Sequence, residues 1–351
     1  MEKIILLRKK LRSFREIVKN MWNNYSRIFV VGTLFFVFCS CLFFYVQKNN
    51  AQKSLRFGFI TDVHCYSKFN KDKNEWEVNW RCSRPMGEFV DRMNNDFDPD
   101  FVIENGDFVD GRDRLGEDGF LKAKSVFDKI EAPKFHVLGN HETNSFSKER
   151  WREIVGLEKT YYYFDLKGFR FIVLDGNNVY NPENLQEIID MKPEMEPHSY
   201  KGMMDDKQMG WLEGVLSESN DLKKIVFIHE PPLDETIGEI RGDIFVNPKP
   251  LRDLFSKNKV TAVFSGHIEE MCDVDVDGVQ YFTFQGFHKK SPRLGKEDQY
   301  KDKGVFHQVV VTDDEIKIEM FFSEGEKEPY RSIKFNQDTA VCNNSSLPPQ
   351  D

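Results

Sequence analysis

The sequence predicts an α/β (α+β) domain made of two mixed β-sheets packed face to face with helices outside, preceded by one transmembrane helix. Three observations predict it. Short apolar runs alternate with helix-spaced stretches through the first two thirds of the chain. Apolar runs then recur late in the chain as hairpins around short turns. Finally, residues 28–46 (IFVVGTLFFVFCSCLFFYV) form 19 residues without a charge.

Residues 1–27 are a basic N-terminus. Residues 1–46 hold eight Lys and Arg against Glu2 and Glu16, or +6; the remainder holds 41 basic against 56 acidic residues, or −15. The apolar run that follows is apolar on every face, and at helical rise it spans about 28 Å, close to the hydrocarbon thickness of a bilayer. Arg8, Lys9, Lys10, Arg12, Arg15, Lys19 and Arg27 precede it, so the N-terminus is expected in the cytoplasm and the rest outside it, as a single-pass membrane protein. Two alternatives stand beside this anchor: a cleaved signal ending near Asn49-Asn50-Ala51, and lipoprotein processing at Ser40-Cys41. Residues 47–55 read as a polar linker. The acidic remainder argues against a general nucleic-acid binder, which needs a basic face, beyond a nucleotide-type small substrate. Cys39 and Cys41 lie in the apolar run. Cys65, Cys82, Cys272 and Cys342 show no CxxC spacing, so neither a zinc knuckle nor a dithiol motif is indicated. After export a Cys65–Cys82 bridge is open, with free buried thiols as the alternative.

Residues 57–60 read as a buried strand ending at Thr61-Asp62. Residues 65–84 have no clean period and read as a loop, and 86–93 (MGEFVDRM) as a helix. Asp98-Pro99-Asp100 turns the chain into strand 101–103, which ends at Glu104-Asn105-Gly106-Asp107. Residues 117–130 place Phe120, Ala123, Val126, Phe127 and Ile130 on one helical face. Strand 135–138 spills into a polar turn, Gly139-Asn140-His141-Glu142. Residues 161–166 and 169–174 make a hairpin around Lys167-Gly168. Residues 205–216 form a helix with Asp205 capping and Gln208 three residues on. Strand 224–228 ends at His229, residues 250–255 are helical, and strand 260–264 ends at Ser265-Gly266-His267. Hairpins 274–276/279–284 and 305–311/315–322 turn at Asp277-Gly278 and Thr312-Asp313-Asp314. The domain thus covers residues 56–322. The polar residues 323–351 read as a flexible tail.

Five of these strands end in residues able to hold a metal: Asp62-x-His64, Gly106-Asp107-x-x-Asp110, Gly139-Asn140-His141-Glu142, His229, and Gly266-His267-x-Glu269. Any one alone is an ordinary polar turn or a core histidine. Five at strand C-terminal ends point to one site, because open α/β sheets place ligands there. Two divalent ions need a bridging carboxylate, which Asp107 can supply, while imidazoles and an amide oxygen complete the shells. Such a pair lowers the pKa of a bridging water and clamps a phosphoryl oxygen. A non-ligating histidine can protonate the leaving oxygen.

This ordered set resembles the calcineurin-like metallophosphoesterases over about residues 56–322. The resemblance implies a four-layer αββα sandwich and a hydrolase of phosphomonoester, phosphodiester or nucleotide-type diphosphate bonds. It would act through a dinuclear metal-activated hydroxide, with two divalent ions (Mn²⁺, Fe²⁺ or Zn²⁺) and a small phosphorylated substrate. Position by position, it implies Asp62, His64 and bridging Asp107 for the first metal, and Asp107, Asn140, His229 and His267 for the second. It also implies His141 as the catalytic histidine, with Asp110 and Glu142 orienting the shell. The family's last motif ends in a histidine ligand where this chain has Glu269. A carboxylate there favours harder ions; the alternative is a non-catalytic binding protein on a degraded scaffold. Trp80-Arg81 before EFVDRMN, YYYFDLKGFRFIVLDGN and KGMMDDKQMGWLEGVL resemble a bacterial branch similar to the manganese-dependent ADP-ribose/CDP-alcohol diphosphatases. Arg81, and Tyr200 in the long stretch 177–204, are candidate substrate contacts.

Overall fold

The computed structural model describes residues 10–17, 19, 20, 22, 54–78, 80–111, 116–178, 201–219, 221–233, 244–287, 304–323 and 327–334. The chain divides into two units, Met1–Ser54 and Leu55–Asp351. In the first, residues 10–17 are helical. The expected membrane span, residues 28–46, lies outside the described residues. Among the described residues no helix is long and apolar enough to cross a membrane.

The second unit carries two six-stranded mixed sheets. Strand β1 (Leu55–Ile60) opens the first. A small hairpin follows, β2 (Ser67–Asn70) and β3 (Glu75–Val78), and then helix α1 (Trp80–Arg92), which widens into a π-helical turn at Met93–Phe97. Strand β4 (Phe101–Glu104), helix α2 (Gly116–Phe127) and strand β5 (Lys134–His136) complete the parallel part of this sheet. Two helices come next, α3 (Asn140–Ser145) and α4 (Lys148–Val155). The second sheet begins with the hairpin β6 (Tyr162–Leu166) and β7 (Phe169–Val173). Helix α5 (Asp206–Ser217), β8 (Lys223–Phe227), α6 (Lys249–Lys257) and β9 (Val260–Ser265) follow, then the antiparallel pair β10 (Cys272–Val276) and β11 (Val279–Thr283). Strands β12 (Val305–Val311), β13 (Glu315–Phe322) and β14 (Lys327–Lys334) return to the first sheet. The orders are β14-β13-β12-β1-β4-β5 and β10-β11-β9-β8-β7-β6.

The high phenylalanine content explains itself between the sheets. Phe57, Phe59 and Phe101 of the first sheet meet Phe171, Phe227 and Phe264 of the second; Phe57 lies edge-on to Phe227 at 5.6 Å and to Phe264 at 5.5 Å. Rings fill the space between two flat faces with few rotatable bonds and edge-to-face contacts. Truncating one to alanine costs about 3 to 5 kcal/mol. The outer faces carry separate cores. Met86 and Phe89 of α1, Phe120 and Phe127 of α2 and Trp151 of α4 cover the first sheet. Leu212 and Leu216 of α5 and Leu251 and Phe255 of α6 cover the second. The layers are therefore helix, sheet, sheet, helix.

Two local readings are corrected and one helix is added. Residues 65–84 are not a plain loop: β2 pairs with β3, bringing Phe69 opposite Trp76, and α1 starts at Trp80 rather than Met86. The four-residue strands were too short to show a period. The tail reading fails over residues 327–334, where β14 pairs with β13; an edge strand beside an already buried neighbour needs little apolar content of its own. Helix α4 was unassigned, although Ser147 caps it by accepting from the Arg150 N–H and Gly156 closes it in the left-handed conformation. Cys65 is buried and makes no disulfide, so the Cys65–Cys82 alternative is excluded, and Cys272 is disulfide-bonded.

His307 of β12 is fully buried between the Phe59 and Phe284 rings, and burial pushes its pKa down to about 3. Because the folded value is depressed, the unfolded chain binds the extra proton first as pH falls. This contribution to stability is whole above about 6.5 and is lost toward 3. His307→Leu is expected to resist acid better than wild type, by about 3 kcal/mol at pH 4 relative to pH 8, in urea melts at the two pH values. An unchanged difference between the two pH values would refute the assignment.

Candidate metal centre

The C-terminal ends of parallel strands β1, β4, β8 and β9, with the segment after β5, converge on one pocket. Asp62 and His64 follow β1, Asp107 and Asp110 follow β4, His229 follows β8, and His267 and Glu269 follow β9. Asn140 and His141 open helix α3, so the polar turn read from sequence is in fact the first turn of a helix. Ligand-compatible atoms fall into three groups: His64, Asp107 and His141; Asp107, His229 and His267; and Asp62, His64 and Glu269. Asp107 joins two of them. Its Oδ2 lies 3.1 Å from His229 Nε2, 3.9 Å from His64 Nε2 and 3.8 Å from His141 Nε2. Glu269 Oε1 lies 3.5 Å from His64 Nε2. Glu269, rather than its neighbour Glu270, thus stands in the pocket, where the family's motif has a histidine.

The backbone is strained where these side chains converge. Eleven described non-glycine residues have positive φ, and five of them are Asp62, His64, Asp107, His267 and Glu269, at +47° to +66°. Each costs about 1 to 3 kcal/mol and persists only where its surroundings over-determine it. Glu142 does much of that holding. Its buried carboxylate accepts the N–H groups of Asp107 (2.9 Å), Phe108 (2.7 Å), Val109 (3.2 Å) and Gly139 (3.0 Å). Asp107 Oδ1 in turn accepts the His141 N–H at 2.8 Å. The Asp62 carboxylate accepts Thr61 Oγ1–H at 2.7 Å and the His267 N–H at 3.1 Å.

Histidine tautomers follow from their partners. His229 is wholly buried, and its Nδ1 lies 2.8 Å from the Asn105 carbonyl oxygen, which can only accept. Nδ1 therefore carries hydrogen, and Nε2 faces Asp107. With protons alone, His229 stays charged: burial lowers its pKa, but Asp107 and Asp62 outweigh that and raise it well above the ordinary value. Asp107 is correspondingly held far below the usual carboxylate range, by His229 against the effect of burial. His64 follows the same logic, pushed up to about 9 by its Glu269 partner, Asp107 and Asp62 despite burial. A pocket that gathers protons to neutralise its carboxylates fits divalent cations, which replace those protons. The Asn105 carbonyl is the kind of outer partner that orients an imidazole ligand. His141 is turned the other way. Its Nδ1 accepts the Gly111 N–H at 3.0 Å, with Asp110 Oδ1 3.6 Å away, so in the neutral ring the hydrogen sits on Nε2.

Residues 55–270 match the family described as calcineurin-like phosphoesterase. The chain belongs to that family. A manganese-dependent ADP-ribose/CDP-alcohol diphosphatase of Xenopus laevis is 23% identical over 318 residues, covering 74% of this chain and 89% of that protein. A probable glycerophosphodiester phosphodiesterase of Arcobacter nitrofigilis is 23% identical over 217 residues, covering 60% and 71%. A dimetal phosphatase from Danio rerio shares the fold, with a TM-score of 0.59 at 18% identity over 80% of this chain and 98% of that one. This phosphoesterase is accordingly a metal-dependent hydrolase of phosphoester bonds with its family's dinuclear metal centre.

Eight predicted residues meet in the phosphoesterase pocket: Asp62, His64, Asp107, Asn140, His141, His229, His267 and Glu269. Asp110 borders His141, and Glu142 braces the Asp107 loop from behind. For Arg81 the structure places the backbone in α1 and does not describe the side chain; Tyr200 lies outside the described residues. Sequence reasoning missed the backbone partners, the Asn105 carbonyl and the Gly111 amide, because main-chain groups leave no residue signature. It also missed Asn177, whose Nδ2–H donates to the Leu138 carbonyl at 2.9 Å and steadies the approach to Asn140. Asn177 is itself set by its N–H to Asp175 Oδ1 (2.8 Å), and Asp175 is paired with Lys148 at 2.7 Å. The Asp175-Gly176-Asn177 run after β7 was a legible signal, since it too is a polar strand end.

Proposed function

We propose that this phosphoesterase cleaves a small phosphodiester or diphosphate on the outer side of a membrane, with His141 as the acid that protonates the leaving oxygen. Asp62, His64 and Glu269 with Asp107 would hold one divalent ion, and Asp107, Asn140, His229 and His267 the other. When bound, such ions acidify a water and neutralise charge on the phosphoryl group. The observation that carries the reading is the opposite setting of two histidines in one pocket. Asn105 turns His229 so that Nε2 can serve as a ligand, and Gly111 turns His141 so that Nε2 holds a transferable proton. The substrate class is supported by the diphosphatase and phosphodiesterase relatives.

The membrane placement rests on the apolar run at 28–46 and its basic flank. The disulfide at Cys272 supports it, since such bonds persist in oxidising compartments. A C-terminal tag cleaved only by protease added outside intact cells is the expected outcome; cleavage by cytoplasmic protease would reverse the orientation.

The activity is tested by chelation. Protein stripped of metal should lose hydrolysis of bis(p-nitrophenyl) phosphate and of CDP-alcohols, and added Mn²⁺ should restore it. Its melting temperature should also fall, because ions that bind only the folded state stabilise it. Hydrolysis that persists undiminished after stripping would overturn the reading.

A further inference from the structure

The two sides of the pocket offer different donors, and we propose that they select different ions. Asp62, His64 and Glu269 would take an oxygen-preferring ion such as Mn²⁺ or Mg²⁺. Asn140, His229 and His267 would take a nitrogen-preferring ion such as Zn²⁺ or Fe²⁺, with Asp107 shared. The inference rests on the dimetal reading above.

Counting Asp107 on both sides, the first presents three carboxylates and one imidazole. The second presents one carboxylate, one amide and two imidazoles. Carboxylates suit Mg²⁺ and Mn²⁺, whereas imidazoles suit Zn²⁺ and Fe²⁺. The difference is built into the chain around Glu269. That residue is held at φ +50°. A Cβ on Gly286 would stand 2.9 Å from Glu269 Oε2 and 3.1 Å from Asp62 Cβ, so glycine keeps the space the carboxylate arm fills. The second side is fixed just as firmly, by Asn105 on His229 and by the 3.0 Å contact of His267 Nδ1 with Asn140 Oδ1.

The test loads the full chain with Mn²⁺ and titrates it with Zn²⁺, following bound Mn²⁺ by electron paramagnetic resonance and both metals by elemental analysis after desalting. The expected result is stepwise. The first equivalent of Zn²⁺ displaces one Mn²⁺, and the second Mn²⁺ leaves only at Zn²⁺ concentrations at least about tenfold higher. In Glu269→His the two steps merge. Simultaneous loss of both Mn²⁺ ions from wild type overturns the proposal, as does an unchanged curve in a folded Glu269→His. Where that variant does not fold, the wild-type curve decides alone. A chain that binds neither metal overturns the dimetal reading itself, whereas two equivalent ions overturn only the selectivity.

Discussion

Alanine at His141 is expected to lower kcat for a phosphodiester by about 10²- to 10⁴-fold, the usual contribution of a positioned general acid. KM and the metal content should stay close to wild type. The reason is geometric. The ring is held by the Gly111 N–H on Nδ1, and its Nε2 faces Asp107 Oδ2 at 3.8 Å inside the pocket, but it is not one of the ligands proposed for either ion. Removing it takes away a proton donor and leaves Asp62, His64, Asp107, Asn140, His229, His267 and Glu269 in place. The loss should be smaller for a substrate with a good leaving group, such as p-nitrophenolate, which departs without a proton. Equal losses for good and poor leaving groups would argue against His141 as the acid, and a kcat within about threefold of wild type for an alkyl ester would exclude it.

Alanine at Gly139 is expected to do more damage than its single methyl suggests. Gly139 has φ −101°, which any residue adopts, so conformational freedom is not the issue. Proximity is. A Cβ there would collide with the backbone nitrogen and Oδ1 of Asp107, and would sit 2.8 Å from Glu142 Oε2. None of these can yield. The Asp107 N–H is bonded to Glu142, Asp107 Oδ1 accepts from His141, and Asp107 is already in the left-handed region. The variant must push apart the loops after β4 and β5, which carry the bridging carboxylate and the Asn140 amide. Overpacking of this kind costs about 1 to 3 kcal/mol, and loss of the carboxylate brace adds to it. We expect a lower melting temperature, loss of both ions on desalting and kcat below one hundredth of wild type. Gly139→Ala protein that keeps two ions and full stability would show that the packing of these loops is looser than described.

These two sites show what a sequence can and cannot carry. The strand-end pattern exposed Asp62, His64, Asp107, Asn140, His229 and His267 because strand polarity forces such residues to one edge of a sheet. It also put Gly139 at the head of the polar turn after one of those strands. It could not identify Asp107 as the atom that Gly139 approaches, because that contact joins two loops distant in sequence. Which of the adjacent Glu269 and Glu270 faces the metal ligands is a matter of backbone direction, and the 3.5 Å approach of Glu269 Oε1 to His64 Nε2 decides it in three dimensions. The hairpins β6–β7, β10–β11 and β12–β13 were legible from alternation and turn residues. The β2–β3 hairpin and β14 were not, because short or edge strands carry little periodic signal. Tautomers of His141 and His229 were beyond reach, since both are set by main-chain groups.

These strand ends together should hold a pair of ions, and elemental analysis of the full chain, saturated with Mn²⁺ and Zn²⁺ and then desalted, measures it. Two divalent ions per chain are expected in wild type, and fewer in Asp107→Asn, which weakens the carboxylate shared by both positions. Wild-type protein that is folded yet retains none, or an Asp107→Asn variant that retains two, would overturn the dimetal reading.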